Sequence, residues 1–236
     1  MDLLRRWLIL SIVSGRYHEK AQSKYAADIK ATTGSKSLQD LFQHRTEALD
    51  PTVTTTRVLS PGQLAGADWK SAYVTLLYLV VRRLKATDWD KRDVLVGDPL
   101  DKALDKAAWH FHHIFPDQRF EGERMRLRQA YEDAQEEGDE AAMRHVDEQR
   151  SALEAKVVSL GNLAFLLPET NIRISNRSPR DYLLEIASTQ EGRATLESQL
   201  IPMDERLWKE SAFDAFCRKR CELLACKAKE LFFPDA

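Results

Sequence analysis

Cysteine is scarce in this sequence of 236 residues: there are 3, Cys217, Cys221 and Cys226, all near the C-terminus. So few thiols cannot build a disulfide scaffold, and their scarcity fits a reducing, cytoplasmic compartment. Nor do they make a zinc centre, since a closed tetrahedral site needs more ligands than one helix carries here; buried thiols are expected instead. Glycine and proline are also few, 9 and 8. That argues against a loop-rich or all-β chain, which needs frequent turn residues. Long hydrophobic runs are missing. The longest, residues 72–81, spans ten residues, about half of what a membrane span requires. Arg5-Arg6 before Trp7-Leu8-Ile9-Leu10 has the outline of a signal peptide, but the apolar stretch is short and no small-residue cleavage site follows, so export is not expected. An excess of one charge is absent too. With 35 basic and 37 acidic residues the formal charge is −2. A uniformly basic nucleic-acid coat is excluded, and any such contact must come from a local patch.

What is present is material for a core: 43% hydrophobic residues against 31% charged, which excludes a disordered tail. At roughly 150 residues per domain the chain holds one or two. Tyr73, Leu76, Leu77, Val80, Val81 and Leu84 recur at i, i+3, i+4 and predict one helix face. Leu38, Leu41, Phe42 and Leu49 repeat that pattern more weakly, and Asp50-Pro51 stops it, because proline disfavours a helical residue before it. Residues 52–57 are β-branched and read as a short strand or an extended loop. Near the C-terminus Phe213, Phe216, Cys217, Leu224 and Leu231 share a helix face. The fold class expected is α+β and predominantly helical, with a helical domain over 1–100, a mixed module over 101–190, and C-terminal helices over 191–236 packing on the first domain.

The mixed module carries the unusual pattern. Residues 109–116 (WHFHHIFP) are strand-like and closed by a proline. A charged stretch follows from Arg119 to Lys156, with 7 basic and 11 acidic residues and one break at Glu137-Gly138-Asp139. Two exposed helices in an antiparallel hairpin are expected over about 119–157. A second strand-like segment, residues 160–167 (LGNLAFLL), ends at Pro168-Glu169-Thr170-Asn171, which looks like a helix start.

His112, His113, Asn162 and Asn171 are the informative side chains here. Singly, each has an ordinary reading as a core histidine or a turn or capping asparagine. Together, a strand, a strand and a helix can bring them to one cation. Hydrolysing a phosphodiester needs a base to take a proton from water and a cation to offset charge on the phosphoryl group. Imidazole suits the base because it titrates near neutrality. A second imidazole and an amide oxygen can hold a divalent ion and leave positions open.

The run His112-His113-Ile114-Phe115-Pro116, then Gly161-Asn162-Leu163, then Asn171, resembles the HNH (ββα-metal) nuclease motif. The wider pattern, continuing through Ile174-Ser175-Asn176-Arg177-Ser178-Pro179 to Tyr182-Leu183, resembles the C-terminal half of GmrSD-type modification-dependent restriction endonucleases. Ser14-Gly15-Arg16-Tyr17 with Asp28, and the stretch from Ile201-Pro202 through Arg218 to Leu224, are similar to that family's helical flanks. The resemblance implies an HNH module at 101–190 and a metal-dependent endonuclease acting on DNA in restriction of foreign or modified DNA. It implies His113 as general base, His112 and Asn171 as metal ligands, Asn162 as the residue that orients loop and base across the ββ hairpin, and a 5′-phosphate product. The cofactor implied is one divalent ion, Mg²⁺ first, with Mn²⁺, Ni²⁺ or Zn²⁺ also admissible. Many relatives carry an acid where His112 stands, so this site is less anionic and softer.

Two further features bear on partners. About fifty residues separate His113 from Asn162, so the charged hairpin reads as an insertion, either covering substrate or contacting a partner. No Gly-x-x-x-x-Gly-Lys loop is present, although GmrSD-type enzymes carry a nucleotide-dependent N-terminal domain. A separate nucleotide-binding sensor subunit is therefore an expected partner alongside DNA, and no membrane is expected. The alternative is a non-catalytic or partner-activated subunit that docks such a sensor; an RNA-directed nuclease is a third reading. Arg173, Arg177 and Arg180 lie in a ten-residue segment without acidic residues. They either grip DNA phosphates or pair with Glu169, Asp181 and Glu185. His110 and Arg119 are weaker candidates, and His18, His44 and His145 have no assigned role.

Overall fold

The strongest helical pattern in the sequence folds as its spacing predicts. Helix α3 (Tyr73–Arg83) buries Leu76, Leu77, Val80 and Val81, with Tyr73 and Leu84 packed partly buried at the margins. Arg82 and Arg83 sit in its last turn, where cations oppose the exposed carbonyl dipoles. This computed structural model describes residues 2–14, 23, 26, 30, 59–97 and 109–233, with side chains from Trp7 onward. The weaker helical pattern from Leu38 to Leu49, its stop at Asp50-Pro51, the β-branched run 52–57, His18, His44, and Gly15 to Asp28 of the family resemblance lie outside the described positions, apart from isolated residues. Among the described residues two helices with defined bounds precede α3: α1 (Asp2–Val13) and the short α2 (Pro61–Ala65). Ser60 caps α2 by accepting from Gln63 N at 3.3 Å, and Pro61 fills its first position, where a missing N–H costs nothing.

A two-stranded antiparallel sheet forms the centre. β1 (His110–His113) pairs with β2 (Leu163–Leu166), and His110 faces Leu166, Phe111 faces Phe165, His112 faces Ala164 and His113 faces Leu163. Both strands are shorter than the sequence suggests. The ladder stops after His113 because the backbone and side chain of Asn162 take over the next donors: Ile114 N bonds Asn162 O at 2.9 Å and Phe115 N bonds Asn162 Oδ1 at 2.8 Å. Residues 160–162 thereby form a 3₁₀ turn rather than strand. The outer edge of β2 is closed by the Gln199 side chain, which accepts from Phe165 N at 3.0 Å and donates to Phe165 O at 2.9 Å. A side-chain amide thus substitutes for a third strand at Phe165.

Because successive strand residues face opposite sides, β2 feeds two hydrophobic clusters. Leu163 and Phe165 join one with Leu59, Leu64, Leu76, Leu77, Val80 and Val81. Ala164 and Leu166 join another with Trp89, Ile114, Tyr182, Trp208 and Phe216. Four helices follow β2: α6 (Pro168–Ile174), α7 (Pro179–Ile186), α8 (Gln190–Ser198) and α9 (Phe213–Phe232). Helix α9 bridges the clusters, its Phe213, Phe216 and Cys217 entering the second and Cys221, Leu224, Ala225, Ala228 and Phe232 the first. Cys217 and Cys221 are buried as expected, but Cys226 is exposed. Five residues on from Cys221, it falls well off the apolar stripe of a helix with 3.6 residues per turn.

The charged stretch folds as the antiparallel hairpin that its pattern predicts. α4 (Glu121–Glu137) ends at Gly138, whose φ of 69° is left-handed, and Asp139 caps α5 (Glu140–Val157) by accepting from Ala141 N and Ala142 N. At its base Arg124 bonds both oxygens of Glu154, at 2.7 and 2.9 Å, and Asp117 at 2.5 Å. Among the described residues no helix is long and apolar enough to cross a membrane.

Candidate functional site

β1 delivers His112 to the face shared with Ala164 and Leu166, and α6 delivers Asn171 to the same place. The turn at Leu167-Pro168 does this: Pro168 sets the helical φ at the first position, and Asn171 follows one turn later. His112 Nδ1 lies 2.7 Å from Asn171 Oδ1, across 59 residues of sequence. The imidazole is buried at 2% exposure and Asn171 partly so. Trp89 meets the ring edge-on at a centroid distance of 5.4 Å, and Tyr182 does so at 5.9 Å.

Burial drives the His112 pKa down to about 4, against the Asn171 oxygen, which would favour the protonated ring, while the His113 and Arg220 charges reinforce the lowering. At neutral pH the ring is therefore neutral, the form that can ligate a metal. Two tautomers fit its partners: with Nδ1 protonated the ring donates to Asn171 Oδ1, and the other is the one that the Tyr182 hydroxyl accepts from. That hydroxyl gives its proton to Ile114 O at 2.6 Å, so toward His112 Nε2, 3.5 Å away, it can only accept. A ring protonated at Nε2 presents its Nδ1 lone pair to Asn171. With the amide oxygen foremost, two acceptors then converge, which is the situation a cation resolves. Turning the amide to present its N–H resolves it without one. The donor set, an imidazole nitrogen and an amide oxygen, is of a kind that divalent ions accept, though the ring itself is buried. Both protein donors are neutral, an unprotonated imidazole and an amide, and among the described residues no group of three or more His, Cys, Asp or Glu side chains converges.

His113, the next residue on β1, pairs in register with Leu163 and so leaves on the opposite sheet face from His112. Its ring is partly buried. Burial lowers its pKa, and the charge of Asp117 pulls the other way. Asn162 is fully buried. Besides accepting from Phe115 N it donates to Phe115 O at 3.1 Å and Val157 O at 2.9 Å, so it ties the end of β1, the end of the hairpin and the start of β2 together. The neighbouring Gly161 is forced by packing: a Cβ there would lie 2.8 Å from the Cys217 backbone of α9. Arg220 on α9 completes this joint, donating to Gly161 O at 3.2 Å and Gln199 O at 3.0 Å. Its own pKa is depressed by burial to about 10.

Two of the three arginines suggested for DNA have protein partners. Arg173 bonds Asp90 and lies 3.6 Å from Glu185; Arg177 bonds Glu185 at 2.5 Å. Glu185 was an expected partner and Asp90 was not, while Glu169 instead approaches Lys91 at 4.0 Å. The reason is tertiary: the loop after α3 lies against α6. Arg180 is exposed on the first turn of α7. Arg119 bonds Asn176 O and pairs with Glu210, and His110 is exposed.

Sequence reasoning missed Asp88, Trp89, Gln199 and Arg220, and gave Tyr182 no role. Only Asp88 had a local sign. Thr87-Asp88-Trp89-Asp90 reads as an Asx-turn, and Asp88 Oδ1 does accept from Asp90 N and Lys91 N at 2.9 Å. No family model, curated protein or solved structure matches the chain.

Proposed function

We propose that this chain is a metal-dependent endonuclease of the HNH type, hydrolysing DNA phosphodiester bonds in the restriction of foreign or modified DNA within the cytoplasm. The observation that carries the reading is the meeting of His112 and Asn171 at 2.7 Å, beside a turn that the Asn162 side chain bonds three times. In this reading His112 Nδ1 and Asn171 Oδ1 would hold one divalent cation, Mg²⁺ or a softer ion. Bound there, it would offset charge on the phosphoryl group and the leaving oxygen. His113, at the last position of β1, would have to turn from the opposite sheet face to take the proton from water, and its lowered pKa keeps it free to do so at neutral pH. Asn162 keeps the end of β1 in place so that His113 holds its orientation. Arg180 is the exposed cation for a flanking phosphate. Arg173 and Arg177 would have to exchange Asp90 and Glu185 for DNA.

Supercoiled plasmid incubated with the purified chain and Mg²⁺, Mn²⁺ or Ni²⁺ tests this. Nicking is expected, with a loss of about 100-fold or more in both His113→Ala and Asn171→Ala. Equal nicking by all three proteins overturns it. Nicking seen only after a nucleotide-binding partner is added assigns the chain as a partner-activated subunit.

A further inference from the structure

Asp88 is buried at 0% exposure on the loop after α3, and among the described residues no cationic side chain forms an ion pair with it. All four of its hydrogen-bond partners donate: Asp90 N, Lys91 N and Thr170 Oγ1 (2.6 Å) to Oδ1, and Leu167 N (2.8 Å) to Oδ2. Among the described residues no acceptor faces either oxygen. Burying an acidic side chain without a cationic partner is costly and needs hydrogen-bond donors to offset it.

Two of those donors lie at the start of α6. Leu167 immediately precedes α6, and Thr170 is the residue before Asn171. The Asp88 side chain therefore clamps the first turn of the helix that presents Asn171, across 82 residues of sequence. The next residue, Trp89, packs edge-on against His112 and stacks on Tyr182 at 5.9 Å. One dipeptide thus fixes both halves of the pair. The pair itself is neutral, whereas a divalent ion between its members calls for negative charge close by.

We propose that Asp88 is a positioning residue of the His112–Asn171 site, anchoring the helix of Asn171 and supplying the negative charge that two neutral ligands lack. This rests on the cation-binding reading above. The experiment is a Mn²⁺ titration of the full chain without DNA, following free Mn²⁺ by electron paramagnetic resonance, with circular dichroism and Tm recorded for every variant. Asp88→Asn is expected to weaken Mn²⁺ roughly tenfold or more, the range for outer partners of metal ligands. Thr170→Val, which keeps the charge but cuts the clamp, is expected to weaken it by a smaller factor, and Thr170→Ser to restore it. Leu77→Ala, in the other hydrophobic cluster, serves as the control: it should lower Tm yet leave Mn²⁺ affinity unchanged. Wild-type affinity in Asp88→Asn, or in Thr170→Val should Asp88→Asn not fold, overturns the proposal, as does an equal loss of affinity in Leu77→Ala. A wild-type chain that binds no Mn²⁺, Mg²⁺ or Ni²⁺ fails earlier, and removes the cation site itself.

Discussion

The two faces of the central sheet look onto different interiors. On one side Leu163 and Phe165 meet Leu64, Leu76, Leu77, Val80, Val81 and Leu224, side chains that pack without direction. On the other, Ala164 and Leu166 lie in a cluster with Trp89 and Tyr182, and the ring of His112 meets both aromatics. Asp88, Asn162 and Thr170 lie buried and hydrogen-bonded around that second interior. Aliphatic packing supplies free energy in proportion to area, but it tolerates rearrangement. Hydrogen-bonded polar groups add little net stability, but they fix positions, because leaving one unmade is expensive. Strands of four residues each thus separate a side that holds the fold from a side that holds a geometry.

The largest effect that would test this division is in the aliphatic cluster. Leu77 is 1% exposed, and Leu77→Ala is expected to lower unfolding free energy by about 2–5 kcal/mol in urea titrations, with nicking per folded molecule unchanged. A loss of cleavage without loss of stability would break the comparison. Acid should act on the other side. The folded His112 pKa is about 4 against an ordinary imidazole value of 6.5, so below that ordinary value the unfolded chain binds a proton that the folded chain refuses. Stability is full above the unfolded pKa and falls as pH drops from there toward about 4, by roughly 3 kcal/mol for this residue. His113 contributes in the same direction. Urea midpoints against pH should show this slope in wild type and a shallower one in His112→Phe; equal slopes would mean that the ring is not held neutral. The smallest effect belongs to the hairpin. Arg124→Ala removes links to Glu154, Asp117 and Glu121, all well exposed carboxylates, and should cost about 1 kcal/mol or less, with Mn²⁺ affinity intact. A larger change at the site would show that the hairpin is coupled to it.

Legibility in the sequence follows how local each cause is. Helix α3, the hairpin break at Gly138-Asp139 and the start of α6 at Pro168 were readable, because periodicity, a capping aspartate and a proline at the first helical position act within a few residues. The strand ends were not, since they are set by which groups Asn162 captures from Ile114 and Phe115, 47 residues away for its side-chain bond. The Gln199 cap on β2 and the Arg173 link to Asp90 belong to the same class. The site was half legible. The resemblance named His112 and Asn171 as a pair, but nothing in their spacing could show that Trp89 and Tyr182 bury the imidazole or that Asp88 carries the helix beside it.

By itself, the amino-acid order determined helix α3, the charged hairpin and helix α9, that two short strands flank that hairpin, and which polar residues stand at the strand ends and the start of α6, because those follow from local backbone preference and apolar period. Only the folded chain decided that His112 meets Asn171, that His113 leaves from the opposite face, and that the buried, hydrogen-bonded Asp88 side chain lies behind them. Those outcomes depend on which distant backbone donors and aromatic rings close around each group once water is excluded, and that is a property of packing rather than of neighbours in the chain.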